Sequence, residues 1–388
     1  MAVPLRLFII AGEASGDALG APLMAALREA TGGEISFEGV GGPLMAEQGL
    51  DSLFPMSDLS VMGIAEIVPR LPLLLRRLRQ TAAAVRATGP DAIVTIDAPE
   101  FCFGVLRRIG DRRAVRIHYV APTVWAWRPW RAGKLARAID HLMTLLPFEP
   151  TFFEQAGLAA SFVGHPVVDG GAATADGVGF RAEAGIAPDA RLLCVLPGSR
   201  MGEIARLLPP FGETVAALAR RFPDLHVVLP TLPHLVGRVR QAVAGWPVPV
   251  MVTEDAAGRF GAMAASDVAL AASGTVALEL ARCGTPSVIA YRVHPLTAAV
   301  VRRLVRVDYA NLVNLLLDRP AVPELLQEHC RVDELTPALE TLLTDETAQA
   351  AQLAACDEAI GLLSPAGMTP AAMAAETVLR VIRERQEN

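Results

Sequence analysis

Asp97-Ala98-Pro99-Glu100 follows the apolar run Ala92–Ile96. If that run is a strand, Asp97 stands at its carboxyl end, where a carboxylate can take a proton from a substrate hydroxyl. The same tetrapeptide suits a helix start, because Pro99 fits a first helical turn, and both readings stay open. Leu196-Pro197-Gly198-Ser199-Arg200 and Ala272-Ser273-Gly274-Thr275, the second leading into a helix that carries Glu279, end two further apolar runs. An arginine fork beside exposed helix amides suits a diphosphate and makes a divalent metal unnecessary. The plainer alternatives are an ion pair of Arg200 with Glu203 and an ordinary capped turn. No Asp-x-Asp and no metal-ligand spacing occurs, so no metal is expected.

Ala11-Gly12-Glu13-Ala14-Ser15-Gly16-Asp17 allows a tight strand-to-helix turn, with helix-start amides for an anion or with Ser15 or Asp17 as cap. Gly39-Val40-Gly41-Gly42-Pro43 has the same ambiguity. Trp125-Ala126-Trp127-Arg128-Pro129-Trp130 gathers three of the four tryptophans, whose faces suit sugar rings or acyl chains, or loop packing. Ile64, Val68, Leu71, Leu75 and Leu78 recur at helical spacing, widened by Leu73 and Leu74 and interleaved with Arg70, Arg76, Arg77 and Arg79. Such a face docks at an anionic membrane surface or packs on a core; Val300–Arg306 has the same double reading. His118 and His165 fit structural roles better than catalytic ones.

Positioning these loops requires alternating strands and helices. Short apolar runs ending in Gly, Ser, Asp or Pro alternate with amphipathic segments, the pattern of parallel βαβ units. Strands are expected at Leu5–Ile10, Ile35–Val40, Ala92–Ile96, Val115–Val120 and Leu142–Leu146, and again at Leu192–Leu196, Leu225–Leu229, Val248–Val252, Val268–Ala271 and Ser287–Tyr291. The Gly-rich stretch 169–179 reads as a linker. The expected organisation is a first Rossmann-like α/β domain over 1–168, a second over 180–345, and C-terminal helices over 346–388. Two doubly wound domains of this kind bind ligands at the carboxyl ends of their strands, in a central cleft.

The bulk properties agree with a two-domain enzyme. The 388 residues are 52% hydrophobic and 20% charged, with a net charge of −6, which excludes a disordered chain and disfavours a nucleic-acid partner. Lys134 is the sole lysine, so lysine chemistry has one candidate. The mean hydropathy of +0.37 is high, yet no run approaches the roughly 18 apolar residues of a spanning helix, and the N-terminus does not read as a signal peptide. Five scattered cysteines without a Cys-x-x-Cys pair suggest a reducing cytoplasm.

Taken in order, Ala11–Asp17, Gly39–Pro43, Val61-Met62-Gly63, Ile96–Pro99, Val124–Arg128, Leu146-Pro147-Phe148-Glu149, Val163-Gly164-His165-Pro166, Leu196–Arg200 and Ala272–Thr275 closely resemble the lipid A disaccharide synthase family. The resemblance implies a GT-B glycosyltransferase of Gram-negative bacteria, without a cofactor, peripheral at the cytoplasmic face of the inner membrane. It implies transfer from UDP-2,3-diacylglucosamine to 2,3-diacylglucosamine 1-phosphate, with inversion, giving a β-1,6 disaccharide 1-phosphate and UDP. On that basis Asp97 is the expected base and Arg200 balances the leaving diphosphate. Ser199, Arg200, Ser273, Gly274, Thr275, Glu279 and Asn314 would hold the UDP-sugar. Gly12, Glu13, Ser15 and Trp127 would meet the acceptor, and Ile64, Val68, Leu71, Leu74, Leu75 and Leu78 would dock on the anionic membrane. GT-B chains commonly return their C-terminal helices to the first domain, and an oligomer, swapped through these helices, stays open. Three positions depart from the family pattern: Glu100 replaces an aspartate, Val313 a proline, and Leu44 stands where a basic residue is expected. A UDP-sugar 2-epimerase shares the architecture but does not predict the Leu/Arg segment; a membrane-associated nucleotide-binding module without activity is the other alternative.

Overall fold

The computed structural model describes residues 4–59, 64–110, 112–127, 131–254, 256–294, 298, 307–365 and 367–387, with residues 64–68, 127, 256 and 257 described by their backbone course alone. The Val61-Met62-Gly63 motif, Arg128, Trp130 and the basic stretch 300–306 lie outside the described residues, as do the side chains of Ile64, Val68 and Trp127.

The chain divides into two compact units, residues 1–166 with 363–388, and residues 167–362. The first contains a six-stranded parallel sheet of β1 (Leu5–Ala11), β2 (Ile35–Val40), β3 (Ala92–Ile96), β4 (Val115–Tyr119), β5 (His141–Thr144) and β6 (Ala160–Phe162), in the order β2-β1-β3-β4-β5-β6. Parallel neighbours require crossovers, supplied chiefly by α1 (Ala14–Ala30), α2 (Pro43–Glu47), α3 (Ile64–Thr88), α4 (Pro99–Ile109), α5 (Val124–Trp127), α6 (Ala132–Leu135) and α7 (Glu149–Glu154).

Side-chain alternation assigns the two faces. Leu7, Ile9 and Ala11 of β1 join Leu23, Met24 and Leu27 of α1 in one core. Phe8 and Ile10 point the other way, into a core shared with Ala82 and Val85 of α3 and Val105 and Leu106 of α4. Strands covered on both faces read as continuous apolar runs, which is why they were recognisable.

The second unit repeats the plan with β7 (Leu192–Leu196), β8 (His226–Pro230), β9 (Val250–Thr253), β10 (Val268–Ala272), β11 (Ser287–Tyr291) and β12 (Glu324–Leu326), ordered β9-β8-β7-β10-β11-β12. Its helices include α8 (Gly177–Glu183), α9 (Met201–Arg221), α10 (Val236–Val243), α11 (Ala256–Ala265), α12 (Val276–Arg282), α13 (Leu312–Leu317), α14 (Val332–Thr344) and α15 (Glu346–Leu362). The last helix, α16 (Pro370–Glu387), belongs to the first unit, where Ala374, Ala375, Val378, Val381 and Ile382 complete the core beside α1. The tail expected as one block, 346–388, is therefore shared between the units. The stretch 169–179, expected as a linker, carries a 3-10 turn at Gly171–Thr174 and the start of α8, with Gly171 against Phe260. Its small residues allow close packing here.

Both sheets reverse strand order once: the first between β1 and β3, the second between β7 and β10. In open α/β sheets, ligands bind outside the strand ends at such reversals. The loops that follow these four strands carry Gly12–Asp17, Asp97, Gly198–Arg200 and Ser273–Thr275. Among the described residues, no helix is long and apolar enough to cross a membrane.

Candidate active site

At the first reversal the turns after β1 and β3 are in contact. A Cβ on Gly12 would lie 2.7 Å from Ala98 Cβ, so the approach requires glycine. Asp97 and Ala98 adopt left-handed φ angles of +50° and +42°, and Val120, at the end of neighbouring β4, has +82°. Strained non-glycine residues persist only where their surroundings impose them, and they gather at functional sites. Asp97 donates its amide to Tyr119 O, 3.0 Å. Its Oδ2 accepts the Ser15 hydroxyl at 3.1 Å. Ala98, not Asp97, is the N-cap of α4, and no side chain caps that helix. The half-buried Asp97 carboxylate is thus directed at the α1 turn, where Glu13 and Ser15 are exposed.

Asp17 has a different task. It is buried, and its carboxylate accepts the amides of Gly42, Leu44 and Met45 at 2.9–3.0 Å, satisfying the start of α2 from a distance. The Gly39–Pro43 turn, read as possible anion-binding geometry, has its anion built in. Leu44, where a basic residue was expected, supplies an amide to Asp17.

Further along the same rim, Trp125 Nε1 donates to Glu149 Oε1 at 2.9 Å, and Leu146 N donates to Oε2 at 3.1 Å. Phe148 meets Trp125 edge to face, with centroids 5.0 Å apart. Glu149 is buried, and burial pushes its carboxyl up to about 7 against the lowering effect of these donors. Sequence alone assigns the Leu146–Glu149 motif no role of its own, because the pairing spans 24 residues and has no local signature. His118, also buried, bonds the Thr95 hydroxyl through Nδ1 at 2.7 Å and is lowered by burial to about 3. His165 is lowered by burial to about 4. Both are neutral at pH 7.

At the second reversal, Arg200 is the N-cap of α9 and its side chain is 67% exposed. Glu203 accepts the amides of Ser199 and Arg200 at 3.2 and 3.3 Å, the Arg200 guanidinium at 3.4 Å and the Tyr291 hydroxyl at 3.1 Å. The amides of Ser199 and Arg200, just before α9, are therefore committed to Glu203, and Arg200 offers an external anion its guanidinium. The neighbouring turn is open. Gly274 has φ +156° with no atom within 4 Å of an added Cβ, and the amides of Gly274, Thr275 and Val276 have no acceptor among the described residues. Ser273 donates to Ala310 O at 3.1 Å. One turn on, Glu279 is held through Oε1 by Arg259 at 3.0 Å, and burial raises its carboxyl against the opposing charge of Arg259.

Against known proteins, the family model described as lipid-A-disaccharide synthetase matches residues 7–378. The chain belongs to the lipid-A-disaccharide synthetase family. The lipid-A-disaccharide synthase of Rhodospirillum centenum is 57% identical over 385 residues, covering 98% of this chain and 96% of that protein. The homologue named likewise from Paramagnetospirillum magneticum is 50% identical and covers 99% of each. Membership gives the activity: glycosyl transfer in lipid A disaccharide synthesis. The fold is also that of the UDP-GlcNAc 2-epimerase of Neisseria meningitidis (TM-score 0.66, 10% identity, 98% and 100% of the two chains) and a glycosyltransferase of Rickettsia africae (TM-score 0.60, 11% identity, 100% of each). At those identities the likeness concerns the GT-B architecture alone.

Within this family frame, one expected site position is buried and another packs, half-buried, against the core. Asn314 is 1% exposed; its Nδ2 donates to Val322 O and Glu324 Oε1 at 2.8 and 2.7 Å, and its Oδ1 accepts Val322 N at 2.8 Å. It fixes the α13 loop, its amide being fully engaged within the unit. Leu78 packs on Gly104 and the first unit's core, so it is not a free docking residue. Leu74 and Leu75 are half-buried, while Leu71 is 47% exposed. Arg77 also turns inward, paired with Asp58 at 2.7 Å over the Phe54 ring; Arg70, Arg76 and Arg79 remain exposed. Asn311, overlooked in the sequence, caps α13 through Oδ1, and its buried Nδ2 has no partner among the described residues.

Proposed function

We propose that this chain joins UDP-2,3-diacylglucosamine to 2,3-diacylglucosamine 1-phosphate, with Asp97 as the base. The observation that carries this reading is the Asp97 carboxylate, held in a left-handed turn at the first reversal and oriented by Ser15. Its Oδ1 makes no hydrogen bond among the described residues and is available to accept the proton of the acceptor's 6-hydroxyl. As that proton moves to Asp97, O6 attacks the anomeric carbon from the face opposite UDP. The C1–O bond to the diphosphate breaks, and the configuration inverts. Charge developing on the departing UDP is met by the Arg200 guanidinium and the free amides of the 274–276 turn, while Glu279 accepts from the nucleotide ribose. Gly12, Glu13, Ser15 and Trp127 border the acceptor in this reading.

Both substrates carry acyl chains, and the exposed Leu71 with Arg70, Arg76 and Arg79 forms the element we assign to reversible docking at the cytoplasmic face of the inner membrane. The deciding experiment incubates the chain with both lipid substrates and follows disaccharide and UDP together, with and without a chelator. Equal amounts of disaccharide and UDP, unaffected by chelation, are expected. UDP release without disaccharide would overturn the transfer reading.

A further inference from the structure

We propose that Arg259 is a positioning residue of the donor site: by holding one oxygen of Glu279 it presents the other to the vicinal diol of the nucleotide ribose. This rests on the reading that Glu279 binds the ribose.

Glu279 lies on α12, one turn beyond the open Ser273–Thr275 turn; Arg259 lies on α11, and β10 separates these helices in the chain. Arg259 Nη2 donates to Glu279 Oε1 at 3.0 Å, while its guanidinium covers the Phe260 ring at 4.5 Å from the centroid. The arginine is thus fixed at two points, and stacking on the ring restrains the planar group. Oε2 of Glu279 makes no hydrogen bond among the described residues, and 21% of the side chain remains exposed. A carboxylate oxygen with free lone pairs can accept two hydroxyl donors; a protonated one loses this capacity. Burial favours the protonated form of Glu279, and Arg259 opposes it. Arg259 therefore performs two tasks: it orients the carboxylate and keeps both oxygens as acceptors.

The test compares binding of UDP with 2′,3′-dideoxy-UDP to the full chain by calorimetry. The wild type is expected to favour UDP by about tenfold or more, as for hydrogen bonds to a charged acceptor. In Arg259→Met the preference should collapse to within about threefold, through weaker UDP binding with dideoxy-UDP little changed, and Arg259→Lys should recover part of it. In turnover, Arg259→Met should raise the donor KM while leaving kcat nearly unchanged. Retention of the full preference by Arg259→Met, or equal weakening of both ligands, would overturn the proposal while leaving Glu279 at the ribose. A wild type without preference would overturn the Glu279 reading itself. Arg259→Lys, which keeps the charge and most of the volume, serves the same comparison if the methionine variant folds poorly.

Discussion

The two reversal points share a scaffold and differ in what it exposes. In each, an acidic side chain takes loop amides from within: Asp17 holds those of Gly42, Leu44 and Met45 at the start of α2, and Glu203 holds those of Ser199 and Arg200 just before α9. Beyond this common device the rims diverge. The first ends its central strand on a strained carboxylate, Asp97, with the Trp125–Glu149 pair nearby. The second presents Arg200, the partly exposed Arg259–Glu279 pair and a glycine turn whose amides have no acceptor among the described residues. One rim is equipped to receive a proton and the other to receive negative charge. The same fold supports opposite electrostatic tasks because the loops, not the sheets, carry them.

The largest test of that division is Asp97→Asn, which keeps the shape and an acceptor for Ser15 but removes the carboxylate proposed as base. Turnover should fall by about 10³-fold, within the range for lost general-base catalysis, with UDP affinity unchanged by calorimetry. A matching loss of UDP affinity would merge the two roles. Arg200→Met is the counterpart: kcat should fall by about 10²-fold, as for a removed transition-state charge partner, and UDP should bind more weakly. Normal kcat would assign the leaving group to other donors.

Glu149→Gln sharpens the account of the first rim. Its carboxyl is raised from the ordinary 4.5 to about 7 by burial, so between those values the folded chain holds a proton that the unfolded chain has released. The resulting stabilisation is present at acid pH and lost as pH rises through 7. The Gln variant lacks this dependence, so the melting temperature of the wild type relative to Glu149→Gln should decline from pH 5 to pH 8. A constant difference would show that Glu149 is ionised throughout. The smallest expected effect is a several-fold drop in partition onto anionic vesicles for Leu71, Leu74 and Leu75→Ser, with the fold retained; unchanged partition would remove α3 as the docking element.

Ten strands were legible because buried parallel strands are unbroken apolar runs. The edges β6 and β12, three residues each, are too short for any periodicity to register. Asp97 was legible at a strand end, as cap or base. That Ala98 takes the N-cap position while the Asp97 carboxylate bonds Ser15, 82 residues away in the chain, has no local signature. Arg200 and Ser273–Gly274–Thr275 were visible as turn chemistry, yet the sequence could not indicate that Glu203 already holds the amides of Ser199 and Arg200. Asp17, Glu149 and Arg259 acquire their roles from partners 20 to 28 residues distant, beyond the reach of local spacing. Family resemblance places Asn314 in the donor site, but its burial and bonding become evident only in three dimensions.

The placement of α16 has a consequence for how the molecule is made. As the nascent chain leaves the ribosome, residues 1–166 emerge with one face of their sheet and α1 lacking Ala374, Val378 and Ile382. Residues 167–362 form one compact unit from a single continuous stretch of chain. The unit encoded second can therefore close first, while the apolar face awaiting α16 stays exposed until residues 370–387 have been made, a period in which a chaperone, or the membrane itself, has the most to shield.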